Sequence, residues 1–160
     1  MLFYLAAIII HGTFTLILTH SPDLFKTSPT NPNVSTTSSY LDLAPLYGSN
    51  QKEQDSVRTF VDGRLKPDTF YEERVLGFPP GIGVLLICFN RFHNYVVGEL
   101  AAINEGGRFT IPSLSDIETM VRARSTMKSL SDEDLATEIK KQFNAQLAKR
   151  DNDLFQTGRL

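Results

Sequence analysis

Few residues in this chain are able to do chemistry. Histidine occurs only at positions 11, 20 and 93, and the single cysteine is Cys88. One cysteine excludes a disulfide framework and any zinc or iron–sulfur centre built on thiolates. His11 has the most unusual setting, because it follows the apolar run Leu2 to Ile10 and no charged residue precedes Asp23. Two readings of such an imidazole are open. It is a hydrogen-bonded core histidine, or it is a general base in a dry pocket, kept neutral near pH ~7 and able to take a proton from a bound peroxide. His93, between Phe89 and Val97, reads as a buried histidine bonded to backbone. No GxGxxG, P-loop, HExxH or GxSxG pattern occurs, and Gly81-Ile82-Gly83 after Pro79-Pro80 reads as a turn.

The elements that must position these residues read as mostly α with long loops. The chain has 160 residues, 41% of them hydrophobic, and a formal net charge of −2 from 16 basic and 18 acidic side chains. That length suits one domain, and that balance excludes a nucleic-acid binder driven by bulk charge. Leu2 to Leu18 admits three readings. A signal peptide lacks its basic start and small-residue cleavage site. A transmembrane span falls short of the ~20 apolar residues a bilayer requires. A buried core helix, Leu2 to His11, is favoured.

Ser28 to Ser39 is rich in Ser, Thr, Asn and Pro and reads as an exposed loop. Its Asn33-Val34-Ser35 sequon is a match that chance supplies in such a loop. Asn50-Gln51-Lys52-Glu53 reads as a capping box opening a helix that stops at Asp62-Gly63. Val84 to Asn104 is the strongest helix, with an apolar stripe of Leu85, Phe89, Phe92, Val96, Leu100 and Ile103, and Arg91, Asn94, Gly98 and Glu99 on its polar face. Ser131 caps a surface helix through Leu135, Ile139, Phe143 and Leu147, with Lys149-Arg150 near its end. Leu154 to Leu160 starts a further apolar pattern, so both ends of the chain look cut.

An ordered set of motifs now stands out: Ser38-Ser39-Tyr40-Leu41-Asp42-Leu43-Ala44-Pro45-Leu46-Tyr47-Gly48, Asp62-Gly63-Arg64-Leu65-Lys66, Leu76-Gly77-Phe78-Pro79-Pro80-Gly81, Phe89-Asn90-Arg91-Phe92-His93-Asn94 and Asp153-Leu154-Phe155-Gln156-Thr157-Gly158-Arg159-Leu160. The set resembles the animal-type haem peroxidase superfamily, within it most closely the fungal fatty-acid dioxygenases, the linoleate diol synthases and psi-factor-producing oxygenases. The resemblance implies an N-terminal portion, residues 1–160, of an all-α haem peroxidase domain. Its activity would be oxidation of an unsaturated fatty acid by O₂ through a tyrosyl radical, with hydroperoxide as activator and haem b as cofactor. Ile8-Ile9-Ile10-His11 resembles the distal-histidine helix, which makes His11 the distal acid–base beside the haem. A Ca²⁺ site beside it would draw on Ser38, the Tyr40 carbonyl, Asp42 and an Asp next to the histidine, although Ala44 stands where the family has a final Ser.

Two departures follow. Gly12 comes after His11 where the family has Asp. Treating Gly12 to Pro22 as an insertion, a translated intron, joins His11 to Asp23-Leu24-Phe25 and makes Asp23 the missing ligand. The proximal half, with its haem-binding histidine and radical tyrosine, would lie beyond Leu160, so the isolated chain is expected to be inactive. No nucleic-acid partner is expected, and homo-oligomers remain open. Location is expected inside the cell, at a membrane or lipid body, or outside it if residues 1–20 act as a signal. The alternatives are a small secreted or membrane-anchored binding module and a degenerate lipid-binding paralogue.

Overall fold

The computed structural model describes residues 2–13, 27–28, 31–35, 43–123 and 132–159. Helices dominate: α1 (Leu2–Thr13), α2 (Ala44–Tyr47), α3 (Gln51–Val57), α4 (Gly81–Ile103), α5 (Leu114–Ala123) and α6 (Asp132–Gly158). Strands β1 (Thr27–Ser28) and β2 (Asn31–Ser35) pair antiparallel, Thr27 with Ser35 and Ser28 with Asn31. Within the stretch expected as a loop, Ser28 and Asn31–Ser35 are strand, and the other residues of it lie outside the described ones. The hairpin carries no apolar alternation for periodicity to detect, and only two residues, Pro29 and Thr30, separate its strands.

Two compact units divide the chain. The first comprises residues 1–59, 65–94 and 159–160, and the second residues 60–64 and 95–158. In the first, α2 is too short to satisfy its own carbonyls. Pro45 O accepts from the amides of Tyr71 and Glu72, at 3.1 and 3.0 Å, so the loop before α4 completes the helix. All four α2 residues are buried, alongside Ile8, Val57, Leu65, Val75, Ile82 and Leu86.

The capping box before α3 forms. Asn50 Oδ1 accepts from the Glu53 amide at 3.1 Å, and Glu53 Oε2 reaches back to the Ser49 amide at 2.7 Å, one residue earlier than the usual pattern. The helix ends at Val57, five residues before the expected stop. Arg58 turns extended and bridges to Leu65, and Phe60 and Asp62 then adopt positive φ, which no helix continues through.

The face that α4 buries also differs from expectation. Ile82, Leu86, Asn90, His93 and Val97 are enclosed, whereas Phe92 is 49% and Ile103 70% exposed. Polar side chains win places on this face because a loop backbone lies against it. Asn90 Nδ2 donates to Lys66 O and Thr69 O at 2.9 and 2.7 Å, and Asn94 pairs with both the amide and the carbonyl of Leu65. A purely apolar stripe would leave those peptide groups without partners.

α1 is a helix as expected, but Leu2, Phe3 and Leu5 are exposed and burial begins at Ile8. No described helix is long and apolar enough to cross a membrane.

In the second unit α6 runs unbroken to Gly158, past the end expected near Arg150, since no Gly or Pro interrupts it. Its first turn holds Asp132, Glu133 and Asp134, favourable at the positive end of the helix dipole. Its last turns bury Asp151, Leu154 and Phe155, while Val97, Phe109, Ile117 and Val121 supply the rest of this core. The cap expected from Ser131 lies outside the described residues.

Candidate functional site

His11 sits in the last turn of α1, three residues after the buried Ile8. What fixes this helix is a close approach. A Cβ on Gly81, at the start of α4, would lie 2.6 and 2.7 Å from Cε2 and Cζ of the Tyr4 ring, so the ring occupies the space a side chain would need. Gly81→Ala should therefore push Tyr4 away and lose roughly 1–3 kcal/mol. Adding Tyr4→Ala removes the clash, and urea melts of the double-mutant cycle should show that much of the Gly81→Ala loss disappears. Asp23, Ser38, Tyr40 and Asp42, the remaining expected site residues, lie outside the described residues. Among the described residues, no group of three or more His, Cys, Asp or Glu is arranged to hold a metal ion.

The first unit does contain a buried polar cluster. His93 is 0% exposed, and its Nδ1 lies 3.0 Å from the Tyr47 hydroxyl, with the rings edge to face at 5.4 Å between centroids. The sequence placed His93 in the core correctly and did not foresee its contact with Tyr47. Its Nδ1 meets a phenol 46 residues earlier in the chain. The missed signal is compositional: Asn90 and His93 are polar residues at helical spacing on the same face as Leu86 and Val97.

One turn of α4 carries Arg91, whose guanidinium grips Asp68 at 2.7 and 2.8 Å. The hydrogen bond to Arg91 holds the Asp68 carboxyl below its usual value of 3.8. A lowered folded-state value gives stability that is present above the unfolded pKa and lost as pH falls through the folded one. Asp68→Asn should therefore flatten the acid limb of a melting-temperature–pH curve. The variant should melt slightly below the parent at neutral pH, by a small margin because both groups stand in water, and coincide with it in acid.

The second unit is closed by a clasp. Gly63, at φ +67°, donates its amide to Asp151 Oδ1 at 2.6 Å. Arg150 on the same turn of α6 pairs with Asp62 and donates from Nε to Phe109 O at 2.6 Å. Asn104, with positive φ, closes the turn that delivers Phe109, accepting from the Phe109 amide at 2.7 Å and donating to Thr110 Oγ1 at 3.0 Å.

Residues 1–160 match known proteins over nearly their whole extent. The chain is 55% identical over 159 residues to psi-producing oxygenase A of Aspergillus fumigatus, which covers 99% of this chain and 11% of that protein. It is 60% identical over 116 residues to linoleate diol synthase of Gaeumannomyces graminis, covering 72% of this chain and 9% of that one. It is 47% identical to a bifunctional dioxygenase–epoxy alcohol synthase of Fusarium oxysporum, over 99% of this chain and 10% of the relative. The chain is homologous to a fragment of these psi-producing oxygenases and linoleate diol synthases. No family model and no solved structure matches it.

The chain thus spans about a tenth of the length of its oxygenase relatives. Within each unit, the motifs that carried the resemblance hold one another in place. In the first, the Phe89-to-Asn94 motif grips the Leu65–Thr69 loop and Tyr47. In the second, Asp62-Gly63 is clasped by the end of α6.

Proposed function

We propose that this chain is part of a haem-dependent fatty-acid dioxygenase that forms oxylipin hydroperoxides, and that His11 is its distal acid–base. The observation that supports this most is the 47–60% identity to psi-producing oxygenases, linoleate diol synthases and dioxygenase–epoxy alcohol synthases. The substrates of the complete protein would be an unsaturated fatty acid, O₂ and an activating hydroperoxide.

His93 is enclosed, with Nδ1 3.0 Å from the Tyr47 hydroxyl, and is assigned no role at the haem. The acid–base role assigned to this chain falls to His11. Haem, when bound, would supply the electrons that O–O cleavage requires, and the His11 imidazole would take the hydroperoxide proton and return it to the departing oxygen. Ca²⁺ held by Ser38, Tyr40, Asp42 and Asp23 belongs to the same proposal, as does Gly12 to Pro22 as an insertion between His11 and Asp23. By this reading the 160 residues alone are inactive. The complete protein works inside the cell beside a membrane or lipid body.

Oxygen uptake with linoleic acid tests the proposal. A full-length polypeptide containing these residues should consume oxygen, and His11→Ala should lower the rate about 10²–10⁴-fold, the range for a general acid–base. Unchanged uptake in the variant would overturn the role of His11. Absence of uptake in the parent would overturn the activity.

A further inference from the structure

Two groups able to exchange a proton are sealed together in the first unit and take no part in the function above. Tyr47 and His93 are both 0% exposed, with the phenol oxygen 3.0 Å from Nδ1. The Arg159 guanidinium carbon lies 5.1 Å from the centroid of the Tyr47 ring. A phenol resists oxidation chiefly because an electron lost without the proton leaves a strongly acidic radical cation. A base already in hydrogen-bond contact removes that obstacle.

We propose that Tyr47 and His93 form a redox-active pair, in which a strong one-electron oxidant converts Tyr47 to a neutral phenoxyl radical while His93 takes its proton. The reacting tautomer is the one in which the Tyr47 O–H donates to an Nδ1 that carries no proton. The oxidant, a high-valent metal centre or an excited metal complex, accepts one electron. The phenol O–H bond breaks and its proton binds Nδ1, leaving phenoxyl beside imidazolium. One electron from a reductant reverses both transfers. Arg159 places positive charge over the ring and so makes electron removal harder, which restricts the pair to strong oxidants. Burial keeps the radical from solvent reductants. The pair belongs to this chain's own core, so the proposal stands whether or not the complete protein oxygenates fatty acids.

The test is photo-oxidation of the 160-residue chain with a ruthenium tris-bipyridine complex and persulfate, followed by electron paramagnetic resonance. A tyrosyl radical should persist after a bulky water-soluble reductant has removed those on exposed rings such as Tyr95, which is 62% exposed. Tyr47→Phe should abolish the persistent signal, and His93→Gln, which keeps a hydrogen-bond partner but not a base, should deplete it. Where either variant fails to fold, a ring-fluorinated tyrosine at position 47 keeps shape and hydrogen bond, and should add fluorine splitting to the persistent spectrum. A persistent signal without that splitting, or no persistent signal in the parent, overturns the proposal.

Discussion

Gly63→Ala is expected to cost roughly 2–5 kcal/mol, read as a lower urea midpoint with the slope unchanged. Two costs add. At φ +67° an alanine occupies the left-handed region, worth about 1–2 kcal/mol against it. Its Cβ would then stand 2.6 Å from Phe155 N, 2.7 Å from Leu154 Cβ and 2.9 Å from Leu154 C. Two of those atoms are the backbone of α6, which does not swing aside as a side chain would, so the loop or the helix must move. Overpacking of that kind costs typically ~1–3 kcal/mol. The movement also stretches the buried amide bond to Asp151. Gly77→Ala is the control, since a Cβ there meets nothing within 4 Å and no positive φ is required. It should stay within about 0.5 kcal/mol of the parent.

Asn90→Ala should lose roughly 2–4 kcal/mol, because Lys66 O and Thr69 O both give up their donor. The loss stays below twice the cost of a single orphaned carbonyl, since Asn90 Oδ1 has no hydrogen-bond partner of its own and its removal returns part of the penalty. Asn90→Asp separates this account from simple packing. A carboxylate there faces two carbonyl oxygens at a fully buried position, so its folded-state pKa rises above the unfolded value. The variant should then be least stable at neutral pH and regain stability as pH falls, when a protonated Asp restores one donor. A packing defect would show no such recovery.

Local signals were legible in the sequence and long-range ones were not. The capping box at Asn50 and Glu53 reads directly, because everything it needs lies within five residues. The α4 helix also reads directly, but its orientation does not. Counting apolar residues put Phe92 and Ile103 inside and Asn94 outside. What orients the helix is the hydrogen-bonding demand of the Leu65–Thr69 backbone, which lies some twenty to thirty residues earlier. Tyr47 and His93 illustrate the same limit: each was placed in a motif, yet their pairing spans 46 residues and leaves no local trace. The continuation of α6 to Gly158 was legible in principle, since nothing between Asp132 and Gly158 breaks a helix. Of the site, composition isolated His11 as unusual. Only the motif set gave it a distal role, because an apolar run ending in histidine is equally a core segment.

The central claim is that these residues are a working part of a fatty-acid oxygenase, with His11 as its acid–base. The most direct measurement replaces the matching segment of Aspergillus fumigatus psi-producing oxygenase A with this sequence, in one version complete and in another without Gly12 to Pro22. Oxygen uptake with linoleic acid is then compared before and after His11→Ala. Uptake by at least one chimera, lost on His11→Ala in a protein that still melts cooperatively, is the predicted result. Folded chimeras that all lack uptake, or uptake that survives the loss of His11, would contradict it.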